Sequence, residues 1–274
     1  MTMKKILSLL VICLFYCSVF SQIYTIIPSS SSIAQTSVAD KHNWSAFGNP
    51  AMLGYLEQSE LGFQFENRYL LNELSTKSLE VGFFSKLMCT GISFSHFGYS
   101  QYHEMMGGIG FARNFSDKFA MGVQANYFTT YFSASNSYRG TFFPQVGLSV
   151  QFSPSFNIGF NASNPFQSTV KTEYVTKRLP SVFSLGTGYS FSPEFIWRTQ
   201  IDKEVSSSYR FATGFDYQML GKVKVKVGAY GSDYLIPCLG MGLKTGSFLI
   251  DLNCELHPIL GLNTFAAIHY HFHK

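Results

Sequence analysis

The sequence is poor in charge. Asp, Glu, Lys and Arg make up 13% of its 274 residues, where soluble domains carry about a quarter, so a surface facing water on all sides is disfavoured. Cysteine is also scarce. Of the five, Cys13 and Cys17 fall in an amino-terminal apolar run, leaving Cys89, Cys238 and Cys254. That odd count without short spacing argues against a disulfide framework or a cysteine-based zinc site. After Phe20 no apolar run approaches the ~20 residues of a membrane helix. The net charge of +4 is spread along the chain, which gives no reason to invoke nucleic acid. No nucleophile constellation, phosphate loop or carboxylate pair stands out, so neither an enzyme nor a cofactor is expected.

What the sequence does contain is alternation. Phe119, Met121, Val123, Ala125, Tyr127, Thr129 and Tyr131 recur at every second position, with Ala120, Gly122, Gln124 and Asn126 between them. Strand side chains point alternately to opposite faces, so such a segment separates an apolar environment from a polar one. Similar segments follow one another from about residue 59 to the end, and about fourteen can be counted. An even number is expected of a single-chain outer-membrane barrel. Phe and Tyr, at 28 and 16 residues against 2 Trp, suit the aromatic girdles of that class. The fold predicted is an all-β transmembrane antiparallel barrel in the bacterial outer membrane, in contact with outer-membrane lipid. A soluble β-sandwich also alternates, but it explains neither the low charge nor a contrast in loop length. That contrast sets short turns such as Ser153-Pro154-Ser155 and Thr245-Gly246-Ser247 against longer polar stretches near 70–77, 99–104, 132–141, 163–181, 203–208 and 230–236.

Three regions are predicted. Lys4 and Lys5 precede the apolar run Ile6 to Phe20, which reads as a signal peptide over 1–21 with a cut ahead of Gln22. Residues 22–57 form an amino-terminal segment long enough to plug the barrel, and 58–274 form the barrel. Within the segment, Asn49, Pro50 and Ala51 predict a turn, with Pro50 leading a short helix.

The polar strand faces should line the lumen. Glycines recur there, among them Gly62, Gly122, Gly147, Gly159 and Gly214. They either leave room for a plug, a ligand or water, or relieve crowding where strands coil, and the second reading is favoured. Arg198, Arg210, Lys222, Lys224, Lys226 and Lys244 fall on the ninth to twelfth expected strands, with Asp202 and Asp216 among them. Glu60, Glu66 and Glu80 lie on the first two, and Asp251 and Glu255 on the thirteenth. The lumen charges are either polarised from wall to wall, as in a pore that orients its solute, or paired and solvated, the favoured alternative. His269, His271 and His273 share one face of the last strand. Imidazoles at alternate positions can approach a metal, but a polar rim is the expected reading, and no metal site is assigned.

The Asn49-Pro50-Ala51 motif just before the first strand resembles the start of FadL-like outer-membrane proteins. The stretch Arg178-Leu179-Pro180 leading into Leu185-Gly186-Thr187-Gly188-Tyr189 is similar to a mid-barrel stretch of the PorV and PorQ group of Bacteroidetes type IX secretion proteins. The resemblance implies a fourteen-stranded barrel. It implies either a role in type IX secretion or surface attachment with a secreted or periplasmic protein partner, or transport of a hydrophobic or small solute. For the first role the long loop with Lys171, Glu173, Lys177 and Arg178 is the candidate partner surface.

Overall fold

The computed structural model describes residues 28–41, 46–116, 118–134, 136–171 and 176–272. The expected signal peptide lies outside them, as do Glu173 and His273.

Strands form wherever apolar and polar residues alternate. They are β1 (Glu60–Asn67), β2 (Ser75–Phe83), β3 (Cys89–Gly98), β4 (Tyr102–Phe115), β5 (Phe119–Phe132), β6 (Ser137–Ser153) and β7 (Phe156–Ser163). Two short strands follow, β8 (Thr169–Lys171) and β9 (Thr176–Arg178). Then come β10 (Val182–Ser190), β11 (Phe195–Glu204), β12 (Tyr209–Met219), β13 (Val223–Gly231), β14 (Leu235–Thr245), β15 (Phe248–His257) and β16 (Gly261–His271). All except β8 and β9 join in one closed antiparallel sheet of fourteen strands. Closure is made by β1 against β16, in register from Glu60 opposite His271 to Asn67 opposite Thr264. The sheet then has no free edge, as an unsolvated bilayer interior requires.

The two faces of each strand differ as the alternation predicts. On β5 the odd-numbered residues from Phe119 to Tyr127 are exposed while Ala120, Gly122, Gln124 and Asn126 are buried. The outward residues form a continuous apolar band that would be an aggregation surface in water and is a lipid contact here. Aromatic rings gather at the short-turn end, where Phe152, Phe156, Tyr189, Phe191 and Phe195 form a chain with centroids 4.8–6.4 Å apart. At the other end Tyr131 lies 4.8 Å from Tyr138 and Tyr102 lies 4.8 Å from Phe132. Rings at both levels match the two interfacial girdles of outer-membrane barrels. The end with tight turns and both barrel termini is the periplasmic one in this class.

The expected contrast in loop length holds only in part. Long connections occur at 68–74 and 164–181, but the stretch near 99–104 shrinks to 99–101 and that near 230–236 to 232–234. Much of the polar sequence read as loop is strand. The ladders of β4, β5 and β6 continue upward, and β6 spans 17 residues, well above the ~10 needed to cross the bilayer. Polar residues are tolerated there because that part of the wall stands in water. Above Gln145, β6 pairs with β5 alone, because its ladder with β7 ends at Gln145 opposite Ser163.

Val123 points outward from the middle of the wall and is 47% exposed. Val123→Arg is expected to lower the unfolding free energy by about 2–4 kcal/mol, measured by denaturant titration in lipid vesicles. An unchanged midpoint would mean that this position lies outside the hydrocarbon band.

Candidate functional site

The lumen is occupied by the chain's own amino-terminal segment. The described parts, 28–41 and 46–56, make two short 3-10 turns, Ile33–Gln35 and Pro50–Tyr55. Too few residues are involved for a hydrophobic core of their own, so the wall supplies their partners.

Asn49, Pro50 and Ala51 sit at the centre. Asn49 Oδ1 accepts the Ala51 N–H at 2.9 Å, capping the second turn with Pro50 at its first position, an arrangement that suits both residue types. Its Nδ2 donates to the carbonyls of Val38 (2.8 Å) and Leu148 (3.1 Å). One buried side chain thereby ties the two halves of the segment to each other and to β6. Below it, Ala46, Ala51, Met52 and Leu53 pack against Cys89, Ala112 and Ala120 of the wall.

The glycines give way to this segment. A Cβ on Gly147 would stand 2.9 Å from the Ala51 nitrogen and collide with Asn49 Oδ1, and one on Gly122 would stand 2.7 Å from that same nitrogen. Gly159 faces the Val38 carbonyl and Gly214 the Ile33 side chain in the same manner. The favoured reading of these residues as relief for strand coiling is therefore corrected at these four positions. They are small because the segment lies against them.

Hydrogen bonds attach the segment around much of the circumference. Ser29 N–H reaches Glu66 on β1 at 3.3 Å and Ala46 N–H reaches Glu80 on β2 at 2.8 Å. Gln124 on β5 donates to the Ala46 carbonyl at 3.0 Å, Gln145 on β6 to that of Gly48, and Asn157 on β7 to that of Ala39 at 2.9 Å. Gln200 on β11 accepts the Val38 N–H at 3.1 Å, while Lys226 on β13 and Asn253 on β15 both donate to the Ser31 carbonyl at 3.0 Å.

Several of the lumen charges are paired. Arg198 is fully buried between Asp216 on β12 (2.8 Å) and Asp40 of the segment (2.9 Å). Arg210 pairs with Asp202 at 2.6 Å and Lys226 with Asp251. Glu255 accepts from the Tyr230 hydroxyl at 2.8 Å and from Gln35 at 3.4 Å. A lumen polarised from wall to wall is thus not what Arg198, Arg210 and Lys226 form, because each has a carboxylate on a nearby strand or on the segment. Lys222, Lys224 and Lys244 lie lower, around a periplasmic-side cavity of about 580 Å³ that also meets Lys41, Glu57, Glu60 and Glu194. Burial pulls the Lys41 ammonium below its ordinary pKa. His269 stands 3.7 Å from Glu80 and His271 stands 3.3 Å from Glu60, but among the described residues no group of side chains is arranged to hold a metal.

The described part of the long loop is partly buried. β8 and β9 pair antiparallel, and Val170 within β8 and Leu179 after β9 are buried with Phe47, Phe128 and Phe143. Lys177 turns inward onto Glu104 and lies 5.5 Å from the centre of the Phe128 ring. Burial works against its charge, but the Glu104 carboxylate outweighs it and raises the Lys177 pKa. Lys171 and Arg178 remain exposed. Val170 and Leu179 thus help cover the mouth, while Phe166 of the same loop is exposed. A second cavity, of about 230 Å³, lies on this outer side of the segment between Ser29, Ser163, Arg210 and Glu255.

This architecture can be set beside known proteins. No family model matches the sequence, and no curated protein is matched by it. Solved structures do match. The Pseudomonas putida toluene transporter TodX aligns over 91% of this chain and 98% of its own with TM-score 0.66 at 10% identity. A Pseudomonas aeruginosa FadL homologue aligns over 89% and 98% with TM-score 0.63 at 10% identity. The fold is FadL-like. The Acinetobacter baumannii outer membrane protein Omp33 aligns over 78% and 98% with TM-score 0.52 at 9% identity. These neighbours place the FadL-like barrel in the bacterial outer membrane. They are transport and outer-membrane proteins rather than enzymes.

Asn49→Ala removes three hydrogen bonds and is expected to loosen the segment by about 1–3 kcal/mol. Arg198→Ala strands two buried carboxylates and is expected to cost about 3–5 kcal/mol. Limited proteolysis of the folded barrel reads both, as faster cleavage within 28–56 while the β-strand circular dichroism stays intact. Equal protection in both variants would mean that these contacts do not hold the segment.

Proposed function

We propose that this protein is an outer-membrane conduit for a small solute, closed at rest by its own amino-terminal segment. The observation that carries this reading is the segment itself, hydrogen-bonded to β1, β2, β5, β6, β7, β11, β13 and β15. It lies between an outer cavity and a larger periplasmic one. A barrel built only to carry surface loops has no need of two cavities on either side of a polar barrier.

The barrier is suited to being moved. Its links to the wall are mostly single hydrogen bonds between amides, carbonyls and side chains, each contributing about 0.5–1.5 kcal/mol. Water or solute polar groups can replace them one at a time. Arg198 is the exception, a buried cation bridging Asp40 of the segment and Asp216 of the wall. It anchors the segment against β11 and β12, so rearrangement of the part from Ala46 to Leu56 would open a path while Asp40 stays held. The likeness to TodX, described as a toluene transporter, and to a FadL homologue supports passage of a solute. The role in type IX secretion or surface attachment that the PorV and PorQ resemblance implied draws less support. None of those structural neighbours is a secretion protein, and of the loop residues Lys171, Lys177 and Arg178 the second is turned inward onto Glu104.

Reconstituted into planar bilayers, the native chain is expected to conduct little. Asn49→Ala combined with Gly147→Val, which removes the cap and fills the cradle, is expected to raise the open probability at least tenfold. Unchanged conductance in that variant would overturn the closure by the segment. A stoichiometric secreted protein copurifying from native membranes, with no conductance in either form, would favour the attachment role.

A further inference from the structure

The geometry points to the outer cavity as a binding site for a small, non-anionic, polyhydroxylated solute of monosaccharide size, and not for a hydrocarbon. The inference rests on the conduit reading and specifies what the conduit admits.

The chemistry of the wall carries it. Side chains that accept or donate hydrogen bonds dominate the lining, with Ser184, Gln200 and Asn161 facing Ser29 and Ser37 of the segment. A site for toluene-like molecules would offer aliphatic and aromatic surface, whereas burying an apolar ligand here would strip these groups of water without return. Two hydroxyls already lack partners. Ser30 and Ser163 line the cavity, are 7% and 1% exposed, and their Oγ atoms form no hydrogen bond within the protein. Each hydroxyl is itself shielded in this conformation, and a χ1 rotation toward the cavity would let a ligand or its water satisfy it, as buried polar atoms ordinarily are.

Charge narrows the class further. The cations of the lining are held by carboxylates, Arg68 by Glu66 at 2.8 Å and Arg210 by Asp202 at 2.6 Å. An anionic solute therefore finds no uncommitted cation and meets Glu204 and Glu255 in addition. Glu255 is bonded to neutral donors, Tyr230 and Gln35, the kind of contact that a sugar hydroxyl can extend or replace. At about 230 Å³ the cavity falls below the ~300–1,000 Å³ of pockets for drug-sized ligands. A single sugar ring is therefore a better match than an oligosaccharide or a long acyl chain.

The test uses the full barrel in detergent micelles, with glucose and toluene as probes. Saturation-transfer NMR is expected to show saturable glucose binding that excess toluene does not displace. Ser163→Ala is expected to weaken it roughly 3- to 10-fold, and Glu255→Gln to do so without altering the unfolding midpoint. Glucose binding that is not saturable, that toluene displaces, or that neither variant changes would overturn the assignment. Swelling of glucose-loaded vesicles separates this from the conduit reading. Saturable binding with no passage, even in the Asn49→Ala and Gly147→Val double variant, keeps the site and overturns the conduit. Passage without saturable binding keeps the conduit and overturns the site.

Discussion

The constraint on which everything else rests is that a chain crossing hydrocarbon must satisfy all of its backbone polar groups internally. For strands this means a ladder that closes on itself, here through β1 and β16. Closure fixes two environments of opposite character. Outward residues meet lipid and are apolar, and inward residues enclose a space that lipid cannot reach. Fourteen strands leave that space wider than their side chains can fill, so something must occupy it.

What occupies it is a second kind of core, made of polar contacts. Glu80, Gln124, Gln145, Asn157, Gln200 and Asn253 all reach backbone groups of the segment, four of them while also bonding a wall side chain. Segment carbonyls and N–H groups that would otherwise be orphaned inside the lumen find partners there. The glycines complete the arrangement, because such bonds form only if the segment's backbone comes within reach of the wall. An interior assembled from many modest hydrogen bonds is specific in shape yet can be exchanged piecewise, unlike a close-packed apolar core. This difference connects the packing of the lumen to a conduit that opens.

Much of the fold was legible because alternation reports directly on the two environments. Phe119 to Tyr131 can be assigned to a membrane-facing strand from spacing alone, and Asn49-Pro50-Ala51 can be recognised as a capped turn from residue type. The site was less legible. Inward Gln and Asn residues were a usable signal, since a lumen filled only by water has no need of so many amides in its wall, but their partners are up to 222 residues away. The same applies to Arg198, whose pairing with Asp216 across β11 and β12 follows from the register but whose second partner, Asp40, does not. The loop from 164 to 181 was legible only in part for a related reason. Its length and charges suggest an exposed surface, and Lys171 and Arg178 are exposed, while the burial of Val170 and Leu179 at the mouth depends on partners distant in sequence.

The sequence by itself determined the barrel, its number of strands and its lipid-facing surface, because a period of two is a local property that the membrane reads one strand at a time. Only the tertiary structure decided what the inward face is for. Whether Gly147 bends a strand or admits a backbone, and whether Lys226 lines a pore or binds Asp251 and Ser31, depends on which residues closure brings across the lumen. That is a long-range relation no spacing along the chain records.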